Sequence, residues 1–310
     1  MQCFHPIPMT IEVGGKEYKQ VPVPCGKCEA CLARRARDWM IRLKEELKDS
    51  SYACFVTLTY DDEHLPREDR KVYDWMIDQE VIYKDVPVHR VRDCQLFLKR
   101  LRKDNPDVKI RYFLVSEFGP RTLRPHYHAI VFNLPRERAN KAYIAAKWRN
   151  GFVEVSKVTE GRIAYVTKYC FGSTTLPFYL PKNITKMSLK PAIGHRWYDN
   201  FKKQLESVDE HEAHYFANGY RLPAPSYYVR RFQNEFEGSM LEDELAEYKQ
   251  SKMEDYLDSL YYQHLNDLED IVERQKEYEE TGHWRETPKE SKERTFKERF
   301  YKKYNKNRKL

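Results

Sequence analysis

Between residues 52 and 158 short stretches of period two and period 3.6 follow one another, and their order restricts the fold more than any other feature. Tyr52–Tyr60 (YACFVTLTY) has the β-branched and aromatic content of a strand. Val91–Lys103 brings Phe97, Leu98 and Leu101 to one helical face. Ile110–Glu117 and His126–Asn133 read as strands, with Gly119-Pro120 and Arg124-Pro125 punctuating the link between them. Arg136–Trp148 reads as helix, Gly151–Val158 as strand and Arg162–Phe171 as helix again. Strand, helix, strand, strand, helix, strand suits an α+β fold: an antiparallel sheet with helices on one face, most simply the ferredoxin-like split arrangement. Residues 61–89 are acidic, polar and proline-containing, and are expected to form a long loop or insertion.

The flanks are simpler. Ile11–Val23 alternates around Gly14-Gly15, as a small hairpin would. In Glu29–Leu47, Leu32, Ala36, Trp39, Leu43 and Leu47 recur at helical spacing. Arg34, Arg35, Arg37 and Arg42 fall mostly off that stripe, on a face that is either solvated or turned to nucleic acid. Beyond residue 176 prolines break the pattern until Leu241–Glu280, which reads as a long acidic helix forming a helical C-terminal extension.

Charge is divided along the chain. Residues 1–234 hold 40 Lys and Arg against 28 Asp and Glu; residues 235–280 hold 4 against 16; residues 281–310 hold 11 against 4. The formal net charge of +7 thus sums a basic body, an acidic segment and a basic tail, an asymmetry that separates roles. The tail is expected to lack order without a partner. A basic body with 23 Tyr and 15 Phe leans toward nucleic acid. The chain has no apolar run of about 18 residues, so no membrane helix is expected. MQCFHPIPMT has neither the basic stretch nor the apolar block of a signal peptide, so secretion is not expected. No G-x-x-x-x-G-K-[ST] spacing occurs, which excludes a phosphate-loop ATPase module.

The chemistry concentrates in two places. In Pro125-His126-Tyr127-His128, residues two apart on a strand share a face, so both imidazoles can converge on one metal. Glu117 ends the preceding strand, and a hairpin would carry its carboxylate across to them. Two imidazoles and a carboxylate with open positions suit a catalytic divalent ion. In Tyr165-Val166-Thr167-Lys168-Tyr169, the two tyrosines stand one helical turn apart with Lys168 beside them. Phenols ionise near pH 10, and a neighbouring ammonium or metal favours the phenolate. A metal polarising a phosphodiester and a tyrosine attacking it would leave a 5′-phosphotyrosine and a free 3′-hydroxyl.

The strand FVTLTY (55–60), the block SEFGPRTLRPHYHAIVF (116–132) and YVTKY (165–169) resemble the HUH endonucleases, and the two-tyrosine form is similar to rolling-circle initiators of small single-stranded DNA phages. VPCGKCEACLARRARDW (23–39), MSLKPAIGHRWYDNF (187–201) and PAPSYYVRRF (223–232) resemble the replication initiators of microviruses, particularly the gokushovirus branch. The resemblance spans roughly residues 1–235. It implies that His126, His128 and Glu117 bind Mg²⁺ or Mn²⁺, that Tyr165 and Tyr169 are paired nucleophiles and that Lys168 accompanies them. The substrate implied is single-stranded DNA at a viral origin, with helicase and polymerase supplied by the bacterial host, in whose cytoplasm the protein would work. Tyr127 departs mildly from the bulky hydrophobe usual between the histidines. The chain divides into a cysteine-rich knuckle and helix (1–50), the endonuclease domain (51–235), the acidic extension (236–280) and the basic tail (281–310). A transposase or plasmid initiator, a phosphodiesterase and a non-catalytic nucleic-acid-binding module are the competing readings.

Seven cysteines without a secretory signal disfavour a disulfide framework. Cys54, Cys94 and Cys170 are scattered, as buried thiols are. Cys25, Cys28 and Cys31 follow a C-x-x-C-x-x-C spacing with Cys3 upstream. The four suit a structural Zn²⁺ site, with an iron–sulfur cluster or reduced thiols as alternatives.

Overall fold

The structure, a computed structural model, describes residues 3–13, 15–168, 177–205, 214–217, 219–235 and 240–306, the side chains at 240–245 and 303–306 apart. A hairpin of β1 (Ile7–Val13) and β2 (Lys16–Val23) leads into helix α1 (Glu29–Asp49). Strand β3 (Ala53–Tyr60), a hairpin of β4 (Arg67–Asp74) and β5 (Gln79–Pro87), and helix α2 (Val91–Lys103) follow. Next come β6 (Arg111–Phe118), β7 (Pro125–Phe132), a 3-10 turn at Arg136–Arg138, α3 (Lys141–Trp148), β8 (Gly151–Lys157) and α4 (Glu160–Lys168). The chain continues through β9 (Thr185–Met187), α5 (Trp197–Leu205), the hairpin β10 (His214–Ala217) and β11 (Tyr220–Pro223), and α6 (Ser226–Glu235). It ends in α7 (Met240–Thr281) and α8 (Pro288–Lys306). Two compact units result: Ala36–Tyr198, and Met1–Arg35 together with Asp199–Leu310. No helix among the described residues is long and apolar enough to cross a membrane.

The central sheet has the order β8-β3-β7-β6-β9, every pair antiparallel. Its first four strands with α2 and α3 reproduce the expected split arrangement, and β9 extends it at the β6 edge. The layering follows from side-chain periodicity. Cys54, Val56, Leu58 and Tyr60 alternate onto one face, where Tyr127, Ala129 and Val131 join them. Cys94, Phe97, Leu98 and Leu101 of α2, at helical spacing, and Ile144 and Trp148 of α3 close this layer. Asn140 caps α3 by accepting the Tyr143 amide at 2.9 Å.

The opposite face departs from the expectation of helices on one side. There Phe55, Phe113, Val115, Ile130 and Phe132 pack against Leu43 of α1 and Ile163 and Val166 of α4. These strands are apolar on both faces, so a bare second face would leave a large hydrophobic patch in water. Residues 61–89 also differ from a plain loop: the insertion is a two-stranded hairpin, with Trp75 at its tip 74% exposed. The basic tail, expected to lack order, contains helix α8, carrying the one-turn pairs Lys297–Glu293 and Arg294–Glu298.

The start of β8 tolerates one residue only. Gly151 has φ +135°, and a Cβ there would meet the backbone nitrogen of Asp61 at 2.3 Å and the carbonyl oxygen of Thr59 at 2.6 Å. Trp148, fully buried, donates its Nε1–H to that same Thr59 oxygen at 3.1 Å. Gly151→Ala should therefore lower stability by more than about 2 kcal/mol in urea unfolding, whereas Gly219→Ala, with open space around it, should cost less.

Candidate active site

β6 and β7 pair so that Glu117 stands opposite His126 and Val115 opposite His128. β3 sets Thr57 opposite His128 on the other side. The pleat then delivers Glu117, His126, His128 and Thr57 to the face that carries α4, while Tyr127 turns away. The turn is closed by the Gly119 amide donating to the Arg124 carbonyl, 3.0 Å, and by Leu123 donating back to Gly119, 3.0 Å.

One carboxylate oxygen gathers the site. Glu117 Oε2 lies 3.1 Å from His128 Nε2 and 3.4 Å from His126 Nε2. It accepts a hydrogen bond of 2.7 Å from the Tyr165 hydroxyl, which lies 3.4 Å from His128 Nε2. The ligand-type atoms of Glu117, His126 and His128 all fall within 4.8 Å of one another. Glu117 and His128 are buried, and burial opposes the charged carboxylate. Hydrogen bonds and charge from the two imidazoles outweigh that and hold Glu117 well below the usual carboxylate range. Burial holds His128 below its ordinary value.

The outer partners show how the rings are aimed. His126 Nδ1 lies 3.2 Å from the Arg124 carbonyl, which can only accept, so Nδ1 carries the hydrogen. Nε2 then points toward Glu117: with both nitrogens protonated it donates to the carboxylate, and in the neutral ring its lone pair is offered to a cation. His128 Nδ1 meets the Thr57 hydroxyl at 3.0 Å, a group that donates or accepts as the ring requires. Phe55 stacks on the His128 ring at 5.7 Å. Two Nε2 atoms and a carboxylate facing one point, with each Nδ1 held from behind, is a donor set that fits a divalent cation.

Helix α4 supplies the hydroxyl. Thr159 caps its first turn, accepting the Arg162 amide at 3.3 Å, and Ile163 and Val166 anchor it to the sheet. That leaves Tyr165 over the histidines, its ring edge-on to His128 at 4.9 Å. Lys168 is buried, its Nζ 6.0 Å from the Tyr165 ring centre. Tyr169 lies outside the described residues. Tyr127, though between the histidines in sequence, is in the opposite core layer. Its hydroxyl accepts from the Arg90 amide at 2.8 Å and pairs with Tyr60 at 3.1 Å, and burial raises its pKa, so it stays neutral. The extra hydroxyl at this position therefore has partners inside the core.

Three contributors were not singled out from the sequence. Thr57 and the Arg124 carbonyl aim the imidazoles. Phe152 of β8 pairs with Thr59, Thr59 with His126, and His126 with Glu117, forming one row across the sheet. Phe152 is 69% exposed on the site face, two strand spacings or about 10 Å from His126. Thr57 and Thr59 carried a signal: they are the polar positions of a strand otherwise apolar on both faces.

Comparison with known proteins places this site inside one family region. Residues 53–173 match the family of replication-associated proteins of the ORF2 type. That region begins at β3 and runs past α4, so it contains Glu117, His126, His128 and Tyr165. The replication-associated protein VP4 of Bdellovibrio phage phiMH2K is 29% identical over 264 residues, covering 74% of this chain and 76% of that protein. The replication-associated protein ORF2 of Spiroplasma virus 4 is 27% identical over 244 residues, 73% and 72% of the two chains. The replication-associated protein ORF4 of Chlamydia phage 1 is 25% identical over 232 residues, 67% and 52%. The chain is thus similar to phage replication-associated proteins of the microvirus type, as the sequence blocks implied. No solved structure matches it.

The buried charges predict a pH response. Unfolded, His128 would take a proton near its ordinary value of 6.5 and Glu117 near 4.5; folded, both resist. The unfolded chain then binds more protons, so stability falls as pH drops through 6.5 and further below 4.5. Burial also lowers His89, to about 3, and His195, so the informative quantity is a difference. Between pH 7 and about 5.5, metal-free wild type should lose more stability in urea unfolding than His128→Gln.

Proposed function

We propose that this chain is a rolling-circle DNA replication initiator, an HUH-type endonuclease that nicks single-stranded DNA at an origin and rejoins it through a 5′-phosphotyrosine. The observation that carries the reading is the Tyr165 hydroxyl seated 2.7 Å from Glu117 and 3.4 Å from His128, where carboxylate and imidazoles converge. A non-catalytic binding module needs none of that geometry, and a phosphodiesterase needs no tyrosine in it.

Glu117, His126 and His128 would hold Mg²⁺ or Mn²⁺, which supplies Lewis-acid polarisation of the scissile phosphodiester. Two nitrogen donors favour Mn²⁺ in affinity. Tyr165 Oη forms the bond to phosphorus while the bond from phosphorus to the 3′-oxygen breaks. The phenolic proton, directed at Glu117 in the free protein, leaves Tyr165, and the departing 3′-oxygen ends protonated as a hydroxyl. The buried Lys168 ammonium near the ring favours the phenolate. The phosphotyrosine retains the energy of the broken bond, so a 3′-hydroxyl can reverse the step. Tyr169, four residues on in the sequence, is the second nucleophile, cleaving again while Tyr165 is occupied.

The basic body would hold phosphates, and Phe152, exposed in the row of His126 and Glu117, offers a surface on which a base stacks. Unwinding and synthesis fall to a host helicase and polymerase in the bacterial cytoplasm. Similarity covering about three quarters of the chain, beyond the sheet, to phage proteins named for replication favours an initiator over a transposase.

The test uses the full chain, labelled single-stranded DNA carrying candidate origin sequence, and Mn²⁺, resolved on a denaturing gel. A slower covalent band is expected, abolished in Tyr165→Phe with Tyr169→Phe. His126→Ala should lower nicking at least a hundredfold and change DNA affinity less than threefold. Cleavage without an adduct would assign hydrolysis instead, and nicking unchanged in His126→Ala would remove the metal from the account.

A further inference from the structure

The second concentration of chemistry lies in the unit Met1–Arg35 with Asp199–Leu310, and the nicking reading leaves it unused. Cys3, Cys25, Cys28 and Cys31 bring four Sγ atoms within 4.8 Å of one another. Cys3 Sγ lies 3.5 Å from Cys25 Sγ and 3.6 Å from Cys28 Sγ. A disulfide would need about 2.05 Å. Four thiolates around one ion with bonds of about 2.3 Å define tetrahedron edges of about 3.8 Å, close to the separations seen. A polynuclear iron–sulfur core would hold its thiolates further apart, with its own iron and sulfide atoms between them.

The backbone is folded for thiolates. The Cys25 amide donates to Cys3 Sγ at 3.3 Å, and the Lys27 and Cys28 amides donate to Cys25 Sγ at 3.4 and 3.3 Å. Gly26, at φ +74°, turns the chain so that these amides point inward. The amides of Cys31 and Phe4 address Cys28, and that of Gly26 addresses Cys31. Cys3, Cys28 and Cys31 are buried, so the site is closed to a substrate. Four thiolates so close together repel one another, and a dication between them offsets that repulsion.

The ligand segments also hold the last helix. Beside Cys3, Phe4 packs edge-on to Phe296 at 5.4 Å, and His5 Nε2 lies 3.4 Å from Glu293. Beside Cys28, Glu29 accepts from the Tyr301 hydroxyl at 2.9 Å. Every one of these contacts reaches α8. We propose that the four cysteines hold one structural zinc ion, and that this ion ties the basic helix α8 to the N-terminal segment. Four thiolates in a closed tetrahedron select zinc over the oxygen-preferring ion assigned to the sheet.

The test takes the full chain, purified anaerobically without chelator. Elemental analysis should give about one zinc per chain, lost in Cys28→Ser and kept in Cys54→Ser. Because Cys28→Ser can fail to fold, Co²⁺ exchanged into wild type gives a second reading: thiolate-to-cobalt charge-transfer absorption is expected. Trypsin should cut within Lys289–Lys306 at least tenfold faster after chelation, with cleavage of the sheet unit unchanged. Less than half a zinc per chain, full zinc in Cys28→Ser, or no cobalt–thiolate band overturns the site. Stoichiometric iron in place of zinc overturns the ion, and unchanged cleavage of α8 overturns the tie. None of these readouts involves nicking, so this proposal and the nicking reading fail separately.

Discussion

The register of one hairpin carries the rest of the account. Glu117 opposite His126 on β6 and β7 puts a carboxylate between two imidazoles, on a face where α4 can bring a hydroxyl. A slip of one residue would put the carboxylate and the imidazoles on opposite faces, one set in the layer filled by Phe97 and Trp148. Buried carboxylate and buried imidazoles each cost free energy alone; paired, they offset part of that cost, and the proposed ion would offset more.

That dependence explains what was readable. His126 and His128 are two apart in a strand, so their shared face follows from the pleat alone. Glu117 needed one further inference, that the Gly-Pro and Arg-Pro punctuation marks a return of the chain. Tyr165 was placed by helical spacing, though nothing local says a phenol will face a carboxylate rather than the core, as Tyr60 and Tyr127 do. The Arg124 carbonyl was illegible because any residue supplies one. Phe152 was illegible because an exposed phenyl and a buried one look alike in sequence until strand pairing assigns the face.

Segments without a core face of their own carry little local signal. Residues 67–87 form strands with little buried surface, so no core face marks them; their alternation is one of half-buried and exposed positions. Helix α8 is dense in charge, and its order rests on one-turn ion pairs and on contacts such as Phe296 with Phe4, nearly three hundred residues away in sequence. Among the arginines of α1, Arg42 lies 4.2 Å over Trp39 and donates to the Ile193 carbonyl at 3.0 Å, a fixed structural role that periodicity does not distinguish from a solvated face.

The chain offers a direct way to locate the nucleophile. Trypsin cutting at Arg162 and Lys168 separates Ile163–Lys168, which contains Tyr165, from Tyr169–Lys182, which contains Tyr169. After reaction with origin DNA and Mn²⁺, nuclease digestion and mass spectrometry of the peptides should find a phosphate-linked nucleotide on Ile163–Lys168, absent when Mn²⁺ is withheld. A nucleotide only on another peptide, or one that forms equally without the metal, would contradict the proposed roles of Tyr165 as nucleophile and of Glu117, His126 and His128 as metal ligands.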